Sequence, residues 1–275
     1  MTYDPSIRAK GIGASDIPAI LGLSPFKDSG PWSVALRKMY PELVQKVTMP
    51  TPMQRIGYAL ENELVFLAGG RLNDEPIWSE AVPWAYATPD GIHNEHGGPV
   101  ECKVVGMSMA KHWTLGDGGP SGIPDHVRLQ VAWQLMVLDK PEAVVSAYVL
   151  GSWELYTVPR HMGLEANMLK AATAFRKAAM LGEVSLALDG SEACIKLLRE
   201  MSPPPPEKPG PSTSEQRTWF YSYESASLAV KRAQAEKAAA LAKLLSVLPS
   251  GHAVVIPEGV LTNHKTGPKV SKVRT

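Results

Sequence analysis

Three residues of the 275-residue chain, two acids and a lysine, have the types and spacing for metal-assisted chemistry. Glu101 and Lys103 stand two apart in Val100-Glu101-Cys102-Lys103-Val104, a short segment of alternating character. As a strand it projects both from one face and turns Cys102 to the other, where a small apolar residue suits a core. An acid and a lysine inside an apolar strand are costly unless something uses them. Asp90 lies eleven residues before Glu101, in Thr88-Pro89-Asp90-Gly91, at the end of a preceding strand. A strand–turn–strand hairpin sets Asp90 beside Glu101. Two carboxylates at close range repel, and a hard divalent cation relieves that repulsion. Oxygen ligands with few protein contacts suit magnesium or manganese.

The elements that must position these residues can be read from period and punctuation. A helix is expected over 15–21, with Ser15 as its cap and Pro18 in its first turn. A second helix covers 51–68; Leu60, Leu64 and Leu67 form its buried stripe, Glu61 lies at the stripe's edge, and Glu63 is solvated. Strands follow at 81–87 and 100–105, with a Gly-rich turn between them. A helix over 124–138 carries Gln130 and Gln134 four apart, on one face. Two more strands at 143–150 and 153–159 precede a long helix at 162–181. This order predicts an α/β layer fold, a mixed β-sheet core flanked by helices.

Six prolines in residues 202–211 read as a stiff, extended linker. It divides a main domain, 1–201, from a helical appendage with a basic tail, 212–275. Ser212 and Glu215 form a capping box that opens the appendage's helix, which runs to about Leu248. A strand-like segment at 253–256 and a polar tail follow. The main domain carries 18 Lys and Arg against 22 Asp and Glu, whereas 202–275 carries ten against five. The first part is therefore no general polyanion binder. The second is either an added attraction to phosphate or a solvated tail.

Composition excludes other classes. Two cysteines, Cys102 and Cys194, support neither a disulfide framework nor a cysteine-ligated metal or iron–sulfur cluster. No apolar run approaches the roughly 20 residues that cross a bilayer, and Met1 to Lys10 lacks a signal-peptide pattern. The expected location is the cytoplasm.

The pattern Asp–(about ten residues)–Glu-x-Lys, with Pro89 before Asp90, resembles the PD-(D/E)xK nuclease superfamily. Three further segments resemble its lambda-exonuclease-like, YqaJ-type viral recombinase family. Gly57-Tyr58-Ala59-Leu60-Glu61 matches a helical Gly-x-x-x-Glu whose acid joins the metal site. Gln130-Val131-Ala132-Trp133-Gln134 matches a Gln-rich helix with a glutamine at the active site, Gln130 being the first choice and Gln134 the second. Arg8-Ala9-Lys10-Gly11-Ile12-Gly13-Ala14-Ser15-Asp16-Ile17, with Leu21-Gly22-Leu23-Ser24-Pro25-Phe26 after it, matches the N-terminal signature. There, glycines let the backbone approach a ligand, and Ser15 opens a helix whose N–H groups favour an anion. Arg8 adds a charge-assisted fork.

The resemblance covers roughly 8–160 and implies a PD-(D/E)xK fold and a Mg²⁺ site, with Mn²⁺ able to substitute. Asp90, Glu101, the Cys102 backbone carbonyl and, through water, Glu61 hold the metal. Lys103 orients or helps deprotonate the attacking water. Arg8 and Ser15 form a pocket for the 5′-phosphate of the strand being degraded. The implied activity is 5′-to-3′ digestion of double-stranded DNA ends, leaving 3′ single-stranded tails for phage-type recombination by strand annealing. A single-strand annealing protein and a ring-shaped homotrimer are the implied partners. The sequence departs from the family at Cys102, where Ile or Leu is common, and at Val104-Val105, where Cys-Pro or a similar pair is frequent. Two other readings stand beside this one: an endonuclease on the same fold, and an inactive DNA-end-binding scaffold. Trp32, Trp78, Trp84 and Trp133 are read as core, and His93 and His96 as a solvated turn.

Overall fold

The computed structural model describes residues 9–26, 29–41, 50–182, 186–200, 202, 210–248, 251–256, 259–264 and 267–271. They fall into two units, Met1–Pro203 and Pro204–Thr275. In the first, the chain runs β1 (Ile12–Gly13), α1 (Ile17–Ile20), α2 (Pro31–Met39), α3 (Pro52–Leu67), β2 (Gly70–Leu72), β3 (Ile77–Trp78), β4 (Ala85–Ala87), β5 (Gly91–His93) and β6 (Pro99–Val105). It continues through α4 (Met107–Ala110), α5 (Asp125–Leu138), β7 (Glu142–Val149), β8 (Ser152–Pro159), α6 (Met162–Phe175) and α7 (Glu192–Glu200).

The main sheet has the order β2-β5-β6-β7-β8, with β6 and β7 parallel and the other neighbours antiparallel. The sheet is therefore mixed, as expected. The strand read at 81–87 is shorter, Ala85–Ala87, and belongs to a second sheet of order β1-β4-β3. The segment that pairs with β6 is instead β5, which starts one residue after Asp90.

Helices cover both faces of the main sheet. Val65 and Ala68 of α3 pack on Val100 and Val144. Val127, Val131 and Leu135 of α5 pack on Ala143, Val145 and Ala147 on the other face. The opposite side of α5 is also covered: Leu129, Ala132 and Trp133 meet Ile12, Ile17, Val34 and Phe175. From Leu129 onward α5 is largely buried, so a polar residue on that part of it needs a specific partner.

Local sequence explains the starts and stops. Thr51 caps α3: its Oγ1 accepts from Gln54 N, Gln54 Oε1 accepts from Thr51 N, and Pro52 follows. The buried side of α3 is Leu64 and Val65 with Ala68 just beyond, whereas Leu67 is 40% exposed; the expected stripe is corrected by one position. Glu63 is exposed as expected. Trp32 and Trp133 are core, but Trp78 is on an edge strand and 36% exposed.

Gly91 has a specific reason to be glycine. A Cβ there would lie 2.5 Å from Val65 Cγ1 and 2.8 Å from the Arg71 carbonyl. Gly91→Ala is expected to cost about 2 kcal/mol by overpacking, read as a lower midpoint in thermal unfolding, and to impair the site because Asp90 moves with it.

In the second unit, α8 (Ser214–Val247) is followed by β9 (Ala253–Ile256), β10 (Gly259–His264) and β11 (Gly267–Ser271), an antiparallel sheet of order β11-β10-β9. The polar tail thus contains two strands. The capping box is Thr213 with Gln216 rather than Ser212 with Glu215. Arg217 holds the Ser212 hydroxyl and carbonyl, which leaves Thr213 to cap.

Candidate active site

The β5–β6 hairpin pairs Gly91 with Val100 in antiparallel register, so Asp90 faces Glu101 across the ladder. Asp90 is held by its backbone and its side chain. Asn73 N donates to its carbonyl, and its own Oδ2 accepts from Cys102 N at 2.7 Å. Burial, then the charge of Glu101, raises the Asp90 carboxyl to about 8, against the opposing pull of Lys103 and the Cys102 amide. At neutral pH, Asp90 in this arrangement holds its proton.

Glu101 is 3% exposed and points into α5. Gln130 Nε2 donates to its Oε1 and Gln134 Nε2 to its Oε2, each at 2.6 Å. Lys103 Nζ donates to Oε1 as well. The two glutamines therefore divide the carboxylate between them. Gln134 is 1% exposed, and among the described residues its Oε1 has no hydrogen-bond partner, so the contact that its amide makes there is the one to Glu101. Four-residue spacing on an enclosed helix accounts for both contacts.

Lys103 lies on the same face as Glu101. Burial works against its charge but is outweighed by Glu101 and Asp90, and its pKa is raised. A lysine acting as base needs the opposite shift, which requires another cation between it and the carboxylates. Cys102 turns to the α3 face, where its Sγ donates to the Glu61 carbonyl at 3.8 Å. Burial, then Asp90 and Glu101, push its thiol up, so it remains protonated and inert. The half-buried Glu61 carboxyl is raised by burial first and then by Glu101. Glu61, Asp90, Glu101, Cys102 and Lys103 line one cleft of about 400 Å³, together with Met53, Gln54, Gly57 and Tyr58.

The donor set fits a hard divalent cation: three carboxylates line one cleft, and burial beside Glu101 raises one of them, Asp90, well above the usual carboxylate range. Among the described residues, no three His, Cys, Asp or Glu side chains are already drawn together as a metal cage. Lys103 occupies the Glu101 oxygen that a cation would share.

The N-terminal segment differs from its sequence reading. Gly11 and Gly13 are buried, and a Cβ at Gly13 would lie 2.7 Å from the Tyr86 ring, one at Gly11 2.4 Å from the Trp84 carbonyl. These glycines admit neighbouring protein. Ser15 is exposed and is not the helix cap; it lies within a 3-10 turn, Ala14–Asp16, that follows Gly13. Arg8 lies outside the described residues.

Two buried charges escaped the sequence reading. Asp16 Oδ2 accepts from Gly13 N at 3.0 Å and pairs with Lys38 Nζ at 2.6 Å, with side-chain exposures of 5% and 2%. The only sequence signal was an Asp one residue before the Ile17-Pro18 helix start. His126 lies one turn before Gln130 on α5. It is half-buried, its ring lies edge-on to Phe26 at 6.3 Å, and burial, then Lys103, lower its pKa.

Residues 5–141 match the family described as the YqaJ-like viral recombinase domain. No curated protein sequence matches the chain. Among solved structures it is similar to LHK-Exo in complex with dAMP, at 15% identity and a TM-score of 0.48, covering 71% of this chain and 95% of that one. It is similar, with 15% identity and a TM-score of 0.47, to the alkaline exonuclease LHK-Exo from Laribacter hongkongensis, over 71% and 94% of the two chains. A phage-related exonuclease from Haemophilus somnus 129PT shows 12% identity and a TM-score of 0.46, over 70% and 96%. By the segment that carries Glu61, Asp90, Glu101, Lys103 and Gln130, the chain belongs to the YqaJ-like viral recombinase family and is a nuclease that acts on DNA.

Proposed function

We propose that the protein is a Mg²⁺-dependent 5′-to-3′ exonuclease on double-stranded DNA ends. It would leave 3′ single-stranded tails for phage-type recombination by strand annealing. The observation that carries this reading is the hairpin register that sets Asp90 opposite Glu101, with Lys103 on the same face, at a cleft shared with Glu61.

In this reading Asp90, Glu101 and the Cys102 carbonyl would hold the metal, with Glu61 joining through water, and Mn²⁺ would substitute for Mg²⁺. When bound, the divalent cation supplies charge stabilisation at the scissile phosphate and lowers the pKa of a nearby water. Gln130 and Gln134 hold Glu101 in place, since each donates an amide N–H to one of its oxygens. Lys103, on the same strand face as Glu101, would orient the attacking water or help deprotonate it. Asp90 would have to be deprotonated to serve as a ligand. Arg8 and Ser15 receive the 5′-phosphate. Residues 1–201 carry catalysis, 202–211 are the linker and 212–275 the appendage. A single-strand annealing protein, a homotrimeric ring and a cytoplasmic location complete the proposal.

The test is digestion with Mg²⁺ of linear duplex bearing 5′-phosphate or 5′-hydroxyl ends, beside a closed circle. Rapid loss of the phosphorylated linear duplex with the circle intact is expected. Cutting of the circle would contradict the exonuclease reading, and equal rates on both ends would remove Arg8 and Ser15 as a phosphate pocket.

A further inference from the structure

The 34 residues of α8 include no buried side chain. Its first turns hold Trp219, Phe220, Tyr221 and Tyr223, which are 68%, 56%, 62% and 73% exposed. Tyr223 lies four residues after Trp219 and three after Phe220, so these three rings share one helix face. Lys231 is eleven residues after Phe220, which returns it to that face about 16 Å along the axis. Exposed large aromatics in such a cluster are unusual on a surface without a ligand. The unit that carries them has ten Lys and Arg against five Asp and Glu.

We infer that this face of α8 binds single-stranded DNA, the rings stacking on unpaired bases while Lys231 and the basic unit engage the backbone phosphates. Flat rings serve bases only when the bases are unstacked, so the surface fits a single strand rather than a duplex. Charge decides between a strand and a second copy of the chain. Two copies of a unit with a net charge of +5 repel each other, whereas a polyanion is attracted. The helix also makes a poor pairing seam, because the positions that continue the line of Trp219 and Tyr223 are Ala226, Val230, Ala233 and Lys237. Two alanines, one valine and a lysine bury little there. This inference rests on the reading that the protein works on DNA. It adds a site outside the catalytic cleft that would retain the unpaired strand made by digestion.

The experiment measures fluorescence anisotropy of a labelled 20-nucleotide oligo-dT with the full-length protein in EDTA, so that nothing is cut. The same preparations are assayed for cleavage of short duplex with Mg²⁺. Trp219→Ala with Tyr223→Ala is expected to weaken oligo-dT binding on the order of tenfold or more, with short-duplex cleavage unchanged. Binding by the unaltered protein should also fall steeply with salt. Unchanged oligo-dT affinity in the double variant overturns the inference. So does a double variant that converts a sedimenting dimer to monomer with oligo-dT affinity intact, since the face then belongs to a second copy. Loss of duplex cleavage in the unaltered protein would sink the nuclease reading and leave the binding result standing by itself.

Discussion

Asp90→Asn is expected to abolish cleavage, by on the order of 10³-fold or more, while making the metal-free protein more stable at pH 8. The loss of activity would follow from removing a carboxylate of the proposed metal site, where the cation is held beside the scissile phosphate. The gain in stability follows from the Asp90 carboxyl standing at about 8 in the folded protein, through burial and Glu101, against 3.8 ordinarily. Between those values the folded state holds a proton that the unfolded state has released. Stability of the metal-free protein therefore declines as pH rises from about 4 through 8. Asn stays neutral and can still accept the Cys102 N–H through Oδ1, so the decline should disappear and the variant should be more stable than the parent at pH 8. Urea unfolding in EDTA at pH 5 and pH 8 reads the stability, and duplex digestion with Mg²⁺ reads the activity. A variant that cuts at the normal rate, or that is less stable at pH 8, contradicts the account.

Asp16→Asn has the largest expected effect on the fold. Burial opposes the Asp16 charge, but Lys38, Arg37 and the Gly13 amide outweigh it and hold its carboxyl below the usual range. A neutral amide in its place would leave the ammonium of Lys38 buried without that carboxylate. Breaking a buried pair from one side costs about 3 kcal/mol, which for a unit of this size lowers the unfolding midpoint by roughly 10 °C. The sign with pH is opposite to that of Asp90. A depressed carboxylate contributes stability that is present above the ordinary value near 4 and lost as pH falls through the folded one. The acid limb of the stability curve should flatten in the variant. An Asp16→Asn protein that melts with the parent would show that the pair contributes nothing to holding the N-terminal turn.

The chemistry-bearing core was legible because period-2 and period-4 spacings are local. Glu101 and Lys103 share a face because strands alternate, and Gln130 and Gln134 share one because helices turn. The sequence could not show that both glutamines reach Glu101, since that depends on α5 being enclosed between the main sheet and the N-terminal elements. Gly11 and Gly13 were misassigned to a ligand because glycine signals close approach without saying to what; here it is Trp84 and Tyr86. The cap at Ser212 was off by one because Ser212-Thr213-Ser214-Glu215-Gln216 contains two equivalent boxes, and Arg217 decides between them. The Asp16–Lys38 pair joins residues 22 apart through tertiary packing, and no local pattern announces it. The strands after residue 256 were missed because a polar, Gly-containing stretch reads as tail until its partners are known.

The central claim is that Asp90 and Glu101 together form a site for a divalent cation, and calorimetric titration of the full-length protein with Mn²⁺ tests it most directly. At pH 7, in two buffers of different ionisation enthalpy, binding should release close to one proton, because Asp90 must lose the one it holds. Asp90→Asn and Glu101→Gln should each abolish that binding. Undiminished Mn²⁺ binding with no proton released in Asp90→Asn, and normal affinity in Glu101→Gln, would place the metal elsewhere and remove the basis of the proposed mechanism.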